Sequence, residues 1–169
     1  LNVVGAKALL ASCRRCYASL FTDRAITYRN LNGFDHEEVA LSIGVQQMVR
    51  SDLSSSGVMF SIDTETGFDN FVLITGAWGL GENVVQGAVD PDEFQVFKPF
   101  LDDPELSPIV ARDLGAKEIK MIYGQPGEAM TRNVSTSKKE RGMFTLTDAE
   151  VLDLARMAKT IEEHYGLPM

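Results

Sequence analysis

Val58-Met-Phe-Ser-Ile-Asp63-Thr-Glu-Thr-Gly67-Phe-Asp-Asn-Phe71-Val-Leu-Ile-Thr75 carries the sharpest fold signal in the chain. Val58, Phe60 and Ile62 recur at the two-residue period of a strand with one buried face. Asp63 to Gly67 is turn chemistry, because Asp and Thr side chains bond nearby backbone and glycine tolerates positive φ. Phe71 to Thr75 then returns apolar, so the stretch predicts an antiparallel pair.

Upstream, Val39, Leu41, Ile43 and Val45 alternate with Ala40, Ser42 and Gly44, which predicts another strand. That pattern breaks at Gln46-Gln47 and resumes with Met48 and Val49. Before it, Leu9, Cys13, Cys16, Tyr17 and Leu20 share one helical face. Thr22-Asp23 caps a short second helix through Ala25, Ile26 and Tyr28, and Asn32-Gly33 ends it. Downstream come a glycine-rich loop, Gly76 to Glu82, and strands over Glu93 to Phe97, Pro108 to Arg112 and Lys117 to Tyr123. Gln125 to Arg141 is polar and predicts a surface excursion. Thr147-Asp-Ala-Glu150 is a capping box. It opens a helix with an apolar stripe of Val151, Leu154, Ala158 and Ile161, stopped by Gly166 and Pro168. The sum is an α+β chain: a mostly antiparallel sheet with packed helices.

The chain has 169 residues, with 24 acidic and 16 basic side chains and a formal net charge of −8. Such a balance argues against a dedicated nucleic-acid binder or a protein of anionic membranes. It leaves ATP open, since a local basic pocket or a bound cation reverses the sign. No run approaches the ~20 apolar residues of a membrane helix. Leu1 to Ala11 lacks the basic start and cleavage site of a signal peptide. The start at Leu1 and the stop at Met169 read as an excerpt of a larger, cytoplasmic protein.

Several chemistries are excluded by motif. Cys13 and Cys16 are spaced C-x-x-C, but a structural zinc needs a second pair and a redox pair usually opens a helix. Inside a helix they read as core packing. There is no Gly-Lys pair for a P-loop, no third glycine after Gly79-x-Gly81 and no G-x-S-x-G elbow. His36 and His164 have no motif around them. Asp90, Asp92 and Glu93 beside Pro91 read as a solvated turn.

Two segments remain. At Gln46-Gln47-Met48-Val49 a strand leaves its buried pattern and frees backbone groups between apolar flanks. A purine needs such a segment: a carbonyl for its exocyclic amine and an amide for its ring nitrogen. A strand simply reaching a sheet edge reads the same way. At Gly79-Leu-Gly81-Glu82 the glycines permit close backbone approach, and the carboxylate could accept from ribose hydroxyls or hold Mg²⁺. An ordinary turn with an exposed Glu82 is the alternative.

At these residues the chain resembles the phosphoenolpyruvate synthase (pyruvate, water dikinase) family. The resemblance runs through Ser19-Leu-Phe-Thr-Asp-Arg24-Ala-Ile-Thr-Tyr-Arg29 and Val45-Gln-Gln-Met-Val-Arg50-Ser-Asp52. It continues through Ser55 to Phe68, through Ala77-Trp-Gly79-Leu-Gly81-Glu82 on to Pro91-Asp-Glu-Phe94, and through the last helix to Met169. It covers nearly the whole chain and is weakest from Phe100 to Gly142. It implies that residues 1–169 are an internal portion of an ATP-grasp nucleotide-binding domain, an incomplete one. Family members make phosphoenolpyruvate, AMP and phosphate from pyruvate, ATP and water with Mg²⁺. A histidine on a mobile domain is phosphorylated first, and a carboxy-terminal barrel then presents pyruvate.

Carried onto these residues, Gln46 would offer its carbonyl to adenine and Val49 its N–H. Gln47 belongs to the same hinge, Met48 gives apolar contact, and Glu82 faces ribose or cation. Arg50 has no matched role. The family's phosphate-gripping lysine and arginine lie upstream of Leu1, and its metal-holding Asp-x-Glu pair would follow Met169. The phosphohistidine and pyruvate-binding domains are absent as well. The resemblance therefore assigns no catalytic and no metal residue within the chain, and implies a fragment inactive alone. A related dikinase, namely pyruvate phosphate dikinase or an antibiotic phosphotransferase, would share the domain. A non-catalytic interaction module would lack the site.

Overall fold

In the computed structural model, which describes residues 2–124 and 130–169, the Asp63–Gly67 turn closes as its chemistry requires. Gly67 N–H donates to the Asp63 carbonyl at 2.9 Å, and the Thr66 hydroxyl donates to the Asp63 carboxylate at 2.6 Å. On either side run β1 (Ser55–Phe60) and β2 (Phe71–Trp78), antiparallel, with Ser55 opposite Trp78 and Phe60 opposite Leu73. Gly57 faces Gly76 in this register; a methyl group on Gly57 would overlap the Thr75 carbonyl oxygen.

β3 (Asp92–Phe97) and β4 (Ile109–Asp113) complete a four-stranded antiparallel sheet in the order β1-β2-β3-β4. Alternate residues of β2 and β3, namely Val72, Ile74, Phe94 and Val96, point to one buried face. The capping-box helix covers that face. It is the last of the helices, which are α1 (Ala6–Ala18), α2 (Asp23–Asn32), α3 (Glu82–Val85), α4 (Lys138–Arg141) and α5 (Asp148–Tyr165). Both reciprocal bonds of the Thr147–Glu150 box form, and Val151, Ala155 and Ala158 of α5 complete the core with Leu101. The small alanines let α5 approach the sheet closely. Leu154 packs only partly against the core and Ile161 is 40% exposed, so the buried stripe is rotated from the one expected.

The chain divides into two compact units, one ending at Val49 and one running Arg50–Met169. In the first, α2 is capped by the Thr22 hydroxyl, as its sequence requires, and ends at Gly33. Buried Arg29 donates to Leu20 O at 2.6 Å and to His36 Nδ1 at 2.8 Å. Cys13 and Cys16 lie within α1, but Cys13 is half-buried and Cys16 exposed, so they are not core residues. The strand expected over Val39–Val45 does not form: no regular structure covers 39–50. Alternation names the residues that can share a face, but a strand also needs a neighbouring ladder to pair with. Val39 and Ile43 are half-buried, while Leu41 and Val45 are exposed.

Three further expectations in the second unit are corrected. Gly76, Ala77 and Trp78 belong to β2 and not to a loop. The polar stretch after Gln125 is not all excursion. Residues 125–129 lie outside the described residues, but Thr131–Ser135 is β6, paired antiparallel with β5 (Ile119–Tyr123), and Lys138–Arg141 is α4. Asp92 is not in a solvated turn: its carboxylate and the Lys117 ammonium are both fully buried and paired. Asp92 Oδ1 also accepts from Gly115 N–H at 3.0 Å. Its Oδ2 accepts from the Thr145 N–H at 2.7 Å and hydroxyl at 2.9 Å. Lys117 donates a second bond to Gly115 O at 2.9 Å. Lys117 is 25 positions away from Asp92, so local sequence gave no sign of the partner. Among the described residues no helix is long and apolar enough to cross a membrane.

A buried charge left without its partner typically costs about 3–5 kcal/mol. Lys117→Met is therefore expected to lower the unfolding free energy by about that much in urea titration, and Lys117→Met with Asp92→Leu by less. A single-variant loss below about 1 kcal/mol, the scale of an exposed pair, would show that the burial carries no such cost.

Candidate functional site: a polar hinge segment and a glycine corner

The segment that breaks pattern in the sequence also lies outside the sheets of the structure. Gln46, Gln47 and Val49 are exposed and belong to no strand; Met48 is half-buried. Gln46, Gln47 and Met48 line one side of a cavity of about 530 Å³ in the first unit. Leu9, Ser12, Cys13 and Cys16 of α1 line another side. This size falls within the ~300–1,000 Å³ usual for small-molecule sites. Its lining thus joins apolar and small residues of α1 to the Gln46–Met48 segment. Sequence reasoning missed the α1 wall. The spacing of Leu9, Cys13 and Cys16 showed a common face, but not that the face bounds a cavity.

Glu82 belongs to the other unit, at the start of α3. Its exposed carboxylate accepts from Gln86 Nε2 at 3.0 Å. Gly79, just before it, has φ +86°, and a Cβ there would strike the Met121 carbonyl of β5. Only glycine meets both conditions. The corner is fastened from both sides: Gly79 N–H donates to Ser54 O at 2.9 Å, and Leu80 N–H donates to Met121 O at 2.9 Å. The Ser56 hydroxyl donates to Gly79 O at 2.7 Å.

Trp78 leads into this corner, and its indole N–H donates to the Glu140 carbonyl at 2.9 Å. Glu140 is itself pinned. Its carboxylate pairs with Lys120 of β5 and accepts from the Ser137 N–H at 2.7 Å, closing the capping box of α4. Those donors, Lys120 first, pull the Glu140 carboxyl from its ordinary 4.5 down to about 2.

Among the described residues no three His, Cys, Asp or Glu side chains converge on a common point. Asp92 is committed to Lys117, and Glu82 accepts from Gln86. These residues do not by themselves make a cage for Mg²⁺. Neither histidine presents a free nucleophilic pocket: His36 accepts from Arg29, and His164 packs edge-on to Tyr165 with ring centres 4.9 Å apart.

The sequence profile of the family described as pyruvate phosphate dikinase, AMP/ATP-binding domain, matches residues 1–169. The chain belongs to this family. It is 60% identical over 166 residues to a phosphoenolpyruvate synthase of Synechocystis sp., covering 98% of this chain and 20% of that protein. It is 58% identical over 167 residues to one of Helicobacter pylori, covering 98% and 20%. It is 55% identical over 171 residues to one of Escherichia coli, covering 100% and 22%. The chain thus spans about a fifth of the length of these curated relatives. Membership in a pyruvate phosphate dikinase AMP/ATP-binding family fits an adenine nucleotide as the ligand class.

The Glu140 cluster supplies a pH test. A carboxyl whose folded pKa lies below its unfolded value adds stability above about 4.5, and loses it as pH falls toward about 2. Emission from Trp78, the only tryptophan, is expected to change over that acid range. Glu140→Gln should bring the change to neutral pH and flatten the acid transition. Identical titrations of the two proteins would show that Glu140 does not hold the corner.

Proposed function

We propose that this chain is the ATP-binding portion of a phosphoenolpyruvate synthase, an internal part of an ATP-grasp domain. The observation that carries the reading is the Gln46–Val49 segment: outside any sheet, with Gln46, Gln47 and Met48 lining a cavity and Val49 exposed next to them, in a chain of the AMP/ATP-binding family. Gln46 offers its carbonyl to the exocyclic amine of adenine, and Val49 its N–H to a ring nitrogen. Gln47 and Met48 line the purine's surroundings, Met48 by apolar contact. Glu82 serves the ribose or the cation side.

In the full-length protein the proposed reaction converts pyruvate, ATP and water to phosphoenolpyruvate, AMP and phosphate. A histidine on a mobile domain carries the phosphoryl group to pyruvate held by a separate domain. Bound with the nucleotide, Mg²⁺ would supply charge neutralisation at the phosphates, with Glu82 on that side of the site. The present residues bind and orient ATP; the chemistry falls to groups elsewhere in the protein, which is placed in the cytoplasm. A chain restricted to these residues is expected to bind nucleotide weakly and to catalyse nothing.

Val49→Pro removes the proposed donor from an exposed residue that pairs in no ladder. One such hydrogen bond is worth about 0.5–1.5 kcal/mol, so ATP affinity of the full-length protein should fall up to roughly tenfold by calorimetry. Circular dichroism should stay unchanged. Full ATP affinity in a folded Val49→Pro protein removes the purine reading and leaves an interaction module as the better account.

A further inference from the structure

Arg50 begins the second unit, one residue after Val49. Its guanidinium is gripped in a fork: Nε donates to Asp52 Oδ1 at 2.8 Å and Nη2 to Asp52 Oδ2 at 2.7 Å. The two partners are unequally exposed, the Arg50 side chain 58% and the Asp52 side chain only 7%. Arg50 Cζ also stands 5.9 Å from the ring centre of Tyr123, at the end of β5. Most surface ion pairs add little because both side chains wander. Here a fixed carboxylate takes both prongs and an aromatic ring offers a cation a favourable face. The Arg50 hydrogen bonds hold the Asp52 carboxyl below its ordinary range, and the Arg50 guanidinium is held above its own.

The backbone around this fork is equally constrained. Leu53 N–H donates to Arg50 O at 3.1 Å, opening the 3₁₀ turn Ser51–Leu53. Ser54 closes that turn and receives the Gly79 N–H of the glycine corner at 2.9 Å. The chain is therefore fixed from Arg50 onward and without a ladder through Val49. A guanidinium with both prongs on a carboxylate is also poorly placed to receive phosphate.

We propose that Arg50 is a positioning residue for the nucleotide base. Locked to Asp52 and seated against Tyr123, it holds its own main chain, at the residue that follows Val49, in place. It thereby holds the adjoining Val49 N–H ready for the purine. The proposal rests on the purine reading above and assigns Arg50 to the base, not the phosphates.

The test is calorimetric binding of ATP, AMP and adenosine to the full-length protein. Arg50→Ala is expected to weaken all three by the same factor, about tenfold. Asp52→Asn should do likewise, and the double variant no worse than either, because the two residues act as one unit. Arg50→Lys keeps the charge but cannot fork, and should resemble Arg50→Ala. Hydrogen exchange at Leu53, whose N–H donates to Arg50 O, should quicken in Arg50→Ala while Val72 in β2 keeps its protection, which general destabilisation would not produce; this readout also serves should Asp52→Asn fail to fold. A loss that grows from adenosine to ATP, or full rescue by lysine, would mean that Arg50 acts on phosphates and would overturn the proposal. Unchanged adenosine binding in Arg50→Ala, with binding lost in Val49→Pro, overturns the clamp and leaves the purine reading standing. Unchanged binding in both variants overturns both.

Discussion

The second unit is organised around one buried charge pair. Asp92 opens β3, Lys117 lies between β4 and β5, and Thr145 lies in the approach to α5, so a single carboxylate joins three distant segments. Stripping water from both ions is costly, and attraction offsets the cost only where every remaining lone pair is satisfied. Here Asp92 takes donors from Lys117, Gly115 and Thr145 on its two oxygens. Lys117 adopts φ +42°, unusual for a residue with a side chain, and its backbone is held by Asp90 O and the Thr136 hydroxyl. The consequence extends along β5. Its Met121 receives Leu80, its Lys120 pins Glu140 and so Trp78, and its Tyr123 faces Arg50. The glycine corner and the Arg50 fork are thus both set by a strand whose entry the buried pair fixes.

What could be read from the sequence was what is encoded locally. The β1–β2 hairpin, the Thr22 cap and the Thr147–Glu150 box each depend on residues a few positions apart, and all form. The errors came where pairing is decided at a distance. Thr131-Arg-Asn-Val-Ser135 has one strongly apolar residue, yet it is a strand because β5 offers it an edge. Val39–Val45 alternates well, yet no described strand lies beside it and no ladder forms. Asp92 looked solvated because its neighbours are acidic; its partner comes from the far side of β4. The Gln46–Val49 segment was legible as a break in pattern, whereas the α1 wall of its cavity was not, since a helical face does not say what it faces.

Charge separates the roles along the chain. The net charge of −8 sits badly with a polyphosphate ligand, and many basic side chains are already engaged. Lys98 pairs with Glu162, Lys117 with Asp92, Lys120 with Glu140, Arg112 with Asp148 and Lys159 with Asp102. Arg50, the cation next to the hinge segment, is taken by Asp52. On the proposed reading these residues read the neutral part of the nucleotide, the purine and ribose. Main-chain donors and acceptors suit that task because they carry no net charge. Neutralising a triphosphate demands cations with free valences, and phosphoryl transfer demands them most strongly as charge shifts between oxygens. The chain spans about a fifth of the length of its curated relatives, and on the proposed reading such groups lie elsewhere in the protein. On the proposed reading, a base-reading segment that ends at a locked arginine, separate from the phosphate-handling groups, would let the two tasks be altered independently.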